Sequence, residues 1–166
     1  MDLVLIKRGS LFAFLAKNYQ LLHNDSVCCE MEFHDWKVAG FALDDTHYAV
    51  HSAGKARWVL SKHGVAIANC ERHAVGSQLE FSIQFDNRCW HIKPVRRKGM
   101  LTHEVWDDGQ KIGGLVPRLK LLRPEIQAHF DQAPRLELAA FTLWLIGIHW
   151  VGVAGRLVAG RAELGV

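Results

Sequence analysis

The stretch that most restricts how this chain can fold is its last apolar run, residues 136–155, LELAAFTLWLIGIHWVGVAG. From Leu138 to Gly155 only Thr142 and His149 carry polar side chains. A helix without a polar face has to be wrapped on every side, by protein or by lipid. Eighteen residues at ~1.5 Å each make a rod about 27 Å long, near the ~30 Å hydrocarbon thickness of a bilayer. Length alone does not choose between a buried core helix and a membrane span. What precedes the run does.

From Leu3 to about Pro117 the chain alternates with period two. Leu79, Phe81, Ile83 and Phe85 alternate with Glu80, Ser82 and Gln84, the clearest half-buried strand, and Trp90 and Ile92 alternate with His91 and Lys93 directly after it. Cys29, Met31 and Phe33 repeat the pattern, as do Tyr48 with Val50 and Trp58 with Leu60. Turn-forming pairs punctuate these runs: Asn24 and Asp25, Asp44 and Asp45, Ala53 and Gly54, His63 and Gly64, Gly76 and Ser77, Asp86 and Asn87, Lys98 and Gly99, Asp108 and Gly109. Short strands at such spacing predict a mainly β fold, an antiparallel barrel of about eleven or twelve strands.

After Pro117 the pattern changes. Pro124 and Glu125 read as the start of a short helix over 123–131, and Ala133 and Pro134 break the chain before the apolar run. Gly147, Gly152, Gly155 and Gly160 each cost up to ~1 kcal/mol inside a helix. The terminal helix is therefore expected over 136–150, with 151–166 as a tail. A barrel of this size has a lumen to fill, and one wholly apolar helix suits it. This gives a single domain over 1–150 with a hydrophobic C-terminal helix at its centre. The alternative is a tail anchor over 136–158, supported by Trp144, Trp150 and the flanking Arg135 and Arg156.

Charge and cysteines add little. The net charge of +3 points to no partner, although residues 88–123 hold nine basic and three acidic residues. Cys28, Cys29, Cys70 and Cys89 form no C-x-x-C, and the opening MDLVLIKRGS does not read as a signal peptide. Reduced thiols and a cytoplasmic location, with association at a membrane surface, are the expectation.

IKRGSLFAFLAKNYQLLHND at the start, THYAVHSAGKARWVLSKHGVAIANCERH in the middle, and THEVWDDGQKIGGLVP before LELAAFTLWLIGIHW carry a family resemblance. In this order they resemble the superfamily of tubby C-terminal domains, phospholipid scramblases and LURP-one-related proteins, in particular its small bacterial members. The resemblance implies a roughly twelve-stranded barrel around a hydrophobic helix, and a non-enzymatic, lipid-binding role. It carries over no individual site residue. The acidic calcium-binding segment expected of a scramblase has no counterpart here, and neither has a multi-cysteine cluster.

Lys93, Arg96, Arg97 and Lys98 form the densest basic cluster. On a hairpin they could converge on a phosphate or an anionic membrane, although a solvated loop has the same composition. Arg118, Lys120 and Arg123 would enlarge the patch if the two segments were neighbours. Nucleic acid is not expected, because no aromatic–basic interleaving or recognised motif is present. The ten histidines lack metal-ligand spacing: His47 and His51 would stand ~13 Å apart on one strand face. No G-x-S-x-G, Walker or dinucleotide motif occurs, and Cys89 with His91 has no third, orienting group. The sequence thus assigns no catalytic residue, metal ligand or cofactor. It predicts a binding module whose ligand is an anionic phospholipid or a phosphorylated small molecule.

Overall fold

In a computed structural model the alternation resolves into twelve strands and one helix, described over residues 1–7, 18–33, 37–75, 78–97, 100–120 and 123–162. The strands are β1 (Asp2–Lys7), β2 (Asn18–His23), β3 (Ser26–Phe33), β4 (Val38–Leu43), β5 (Thr46–Gly54) and β6 (Arg57–Lys62). They continue with β7 (Val65–Val75), β8 (Gln78–Phe85), β9 (Arg88–Arg97), β10 (Met100–Asp107), β11 (Gln110–Lys120) and β12 (Arg123–Phe130). The helix α1 spans Leu136–Ala162. Each strand pairs antiparallel with the next, and β12 returns to β1, closing a barrel. The closing seam pairs Asp2 with His129 through to Ile6 with Glu125. The Met1 amino group adds a 2.6 Å bond to the Phe130 carbonyl, and the Phe130 N–H donates back to Met1.

α1 enters this barrel and fills it. Leu138, Ala139, Ala140, Phe141, Leu143, Trp144, Leu145 and Ile146 are all 1% exposed or less, and Ile148 packs against the same core. The sheet meets them with the inward half of its alternation, including Leu3, Leu5, Met31, Leu60, Phe81, Ile83, Ile92, Leu115 and Phe130. Phe141 stacks on Trp144 at 6.2 Å, and Phe33 meets Trp144 edge-on at 6.1 Å. Wrapping on every side is why no face of the helix needed to be polar. Arg135 fixes the entry point, pairing with Asp86 of the β8–β9 turn and donating to Glu137 at 2.7 Å. The acidic Glu137 also suits the positive end of the helix dipole.

Three expectations need correction. Residues 123–131 are not a helix: most of them form β12, with Ile126, Ala128 and Phe130 buried and Gln127 and His129 on the other face. Pro124 imitates a helix start but lies one residue before pairing with β1 begins, where a missing N–H costs nothing. Second, the helix does not stop near Trp150 but continues to Ala162, 27 residues or about 40 Å. Gly147 does not stop it: the glycine packs closely inside the barrel, where a Cβ would stand 3.4 Å from Ile126 and 3.5 Å from Leu5, ordinary contact distances. Beyond it, a helix already nucleated inside the barrel extends at little cost per residue. Third, β5 runs through Gly54, and the tight turn falls on Lys55 and Ala56.

The run that was also a candidate anchor is enclosed by the sheet from Leu138 to Ile146. Among the described residues no helix is long and apolar enough to cross a membrane.

Candidate anion-binding surface

The topology sorts the charges of this chain to opposite ends of the barrel. At the end where α1 enters, the hairpins turn on two residues, with positive φ at Asn24, Asp25, Asp44, His63, Asp86, Asn87 and Asp108. Left-handed backbone selects Asn, Asp and Gly, so turn chemistry makes this end acidic. Eight of the nine aspartates lie here: Asp2, Asp25, Asp44, Asp45, Asp86, Asp107, Asp108 and Asp131. The ninth, Asp35, lies outside the described residues.

The end toward which α1 runs is basic. It holds Lys37, Lys55, Arg57, Arg72, Arg96 and Arg118, together with the backbone positions of Arg97, Lys120 and Arg123 at the strand ends, opposed by Glu32, Glu71, Glu80 and Glu125. Part of this charge is committed. Arg57 pairs with Glu71 at 3.2 Å, while Arg72 donates to the Lys55 carbonyl and covers the Trp58 ring at 5.8 Å. Val38, Val75 and Leu101 are exposed among these cations, at 40%, 54% and 41%.

At this basic end the wall divides. Pairing of β9 with β8 stops at Ile92, and pairing of β10 with β11 stops at His103. Beyond those points β9 and β10 stay paired with each other out to Arg97 and Met100. β11 and β12 likewise stay paired out to Lys120 and Arg123, past the last β12–β1 pair at Glu125. Two basic two-stranded ribbons therefore project side by side. Pro94 and Pro117 sit where a neighbouring strand has already been lost, so neither removes a bond from the barrel.

The four residues expected to converge do not act as one cluster. Lys93 sits on the outer wall, its ammonium 5.6 Å over the Trp106 ring and its Cα opposite Glu104. Arg96 has the opposite parity, shared with buried Ile92 and half-buried Pro94, so it rises exposed over the mouth from which α1 emerges. Arg97 ends β9 opposite Met100 and is described through its backbone alone, and Lys98 lies outside the described residues. Arg118, on the adjoining ribbon, is exposed. Lys37, Lys55 and Arg72 escaped sequence reasoning, because only the alternating direction of successive strands puts them at this end.

The reactive side chains have other engagements. Cys89 bonds weakly to the Trp90 carbonyl, and burial pushes its thiol up, away from the thiolate a nucleophile needs. His91 pairs instead with Ser82, Nδ1 to Oγ 3.3 Å. An open cleft of about 490 Å³ on the outer wall includes Asn69, Gln84, Asn87, Arg88 and Cys89, but its Arg88 is tied to buried Asp107 and its Asp86 to Arg135. Among the described residues no three His, Cys, Asp or Glu side chains group closely enough to hold a metal ion. All four cysteines are free thiols.

Compared with known families, curated proteins and solved structures, the chain matches none of them.

Proposed function

We propose that this chain is a non-enzymatic binding module whose basic end holds an anionic phospholipid surface or another phosphorylated ligand. One observation carries the reading: the separation of charge, with Arg96 and Arg118 on neighbouring ribbons at one end and the aspartates at the other. Turn chemistry accounts for the acidic end but not for the basic one. Cations beside exposed Val75 and Leu101 suit an interface that is charged at the headgroups and apolar just beneath. The resemblance of the sequence to tubby, scramblase and LURP-one-related proteins points the same way. On this reading the protein works at the cytoplasmic surface of a membrane, where anionic lipid is concentrated.

The test is sedimentation with vesicles containing phosphatidylserine, across a salt series, with inositol hexakisphosphate as soluble competitor. Each cation near such a surface contributes about 1 kcal/mol, so Arg96→Glu with Arg118→Glu should weaken binding at least tenfold. Lys111→Glu at the acidic end should not. Equal effects from both ends, or no effect from the ribbons, would refute the assignment. Competition by the soluble phosphate distinguishes a headgroup pocket from attraction to the surface as a whole.

A further inference from the structure

The inner face of the barrel is aliphatic and aromatic over most of its area, and one exception stands close to the basic mouth. His103 is 3% exposed, and its Nδ1 has no hydrogen-bond partner. It is the last residue of β10 paired with β11, at the point where the two ribbons part. On β9 it faces Pro94, and on β11 it faces Leu115. The wall beyond offers Phe81 and Ile83 of β8 and Ile126 and Ala128 of β12, none of which titrates. From the helix, His149 acts on it, itself packed against the Phe81 ring at 6.0 Å. Arg96 stands diagonally across on β9, opposite Leu101, and is solvated. Asp107 lies four residues away on β10, held by Arg88 at the other end of the barrel.

Among the described side chains, those that face His103 are thus neutral or positive. A proton placed there meets no anion among the described residues, no acceptor on Nδ1 and little water. We propose that His103 is an acid-sensitive latch on the central helix: neutral, it lets the wall close on α1, and protonated, it releases the C-terminal half of α1 at the basic mouth. The device concerns the helix itself and does not depend on what the basic end binds.

The direction follows from the imidazole. Burial first, then His149, lowers it from its ordinary 6.5 to about 4 in the closed form. Release returns it to water and to the ordinary value. The closed state is therefore favoured in full above pH 6.5, and that preference is lost as the pH falls toward 4. At pH 5 the linkage raises the ratio of open to closed helix about thirtyfold.

Hydrogen exchange on the full chain at pH 7 and pH 5, corrected for intrinsic rates, reads this directly. Protection over residues 148–162 should fall at least tenfold while β4, β5 and β6 keep theirs. In His103→Leu the fall should disappear. An unchanged helix in the wild type, or the same fall in the variant, would overturn the latch. Should His103→Leu fail to fold, a carbon-13 NMR titration of the wild-type histidines decides the matter. Release coinciding with protonation of His103 supports the latch, whereas release while His103 stays neutral, or protonation near pH 6.5 without release, overturns it.

Discussion

Gly113 on β11 lies flat against Phe130 on β12: a Cβ built on Gly113 would stand 2.9 Å from Phe130 Cδ1 and 2.5 Å from the His129 carbonyl oxygen. The two are Cα partners, Phe130 is fully buried, and Trp90 leans on it at 6.1 Å. This contact anchors the strand that closes the barrel. Gly113→Ala must push backbone rather than a yielding side chain, and overpacking of that kind costs ~1–3 kcal/mol. Urea unfolding should show a loss in that range. Gly114→Ala, where the nearest atom is the His103 carbonyl oxygen at 3.4 Å, should cost less.

Stability should also fall at high pH. Desolvation holds Tyr19 at about 12 against an ordinary 10, and desolvation, then Cys28, holds Cys29 at about 12 against 9. Both groups are kept neutral by the fold. Their contribution is fully present below the unfolded values of 9 and 10 and is lost as the pH rises toward 12. For Tyr19 alone the two-unit difference is worth about 3 kcal/mol. Urea unfolding at pH 8.5 and pH 11.5 measures the loss, and Tyr19→Phe should remove the part that belongs to the phenol. A variant as alkali-sensitive as the wild type would show that other groups govern the loss.

Much of this architecture is legible in the residues. Leu79, Phe81, Ile83 and Phe85 show which face of β8 is buried, and the Asp and Asn pairs mark the tight turns at the helix-entry end. The size of the lumen implied by so many strands identified the apolar run as its filling. β12 was hidden because Pro124 and Glu125 resemble a helix start, whereas the period-two signal that decides is carried by Ile126, Ala128 and Phe130. The basic surface was half legible. Arg96 and Arg118 stood out as charges, but strand parity, which turns Lys93 toward Trp106 and Arg96 toward the mouth, depends on the pairing register. The division of the wall beyond Ile92 and His103 is a fact of pairing, and no local pattern announces it. His103 had the same obscurity. It reads as one of ten dispersed histidines until the barrel closes around it.

The closed barrel depends on α1 being its core rather than an appendage to it. Trp144, Phe141 and Leu145 are fully buried, and losing even one large aromatic from such a site costs ~3–5 kcal/mol, a sizeable part of the stability of a domain. The most direct measurement is deletion of residues 136–166, followed by urea unfolding monitored by circular dichroism. The deleted chain should show no cooperative transition and no protected strands. A soluble β-domain that still unfolds cooperatively, with the slope expected of a complete barrel, would mean that the sheet packs without the helix.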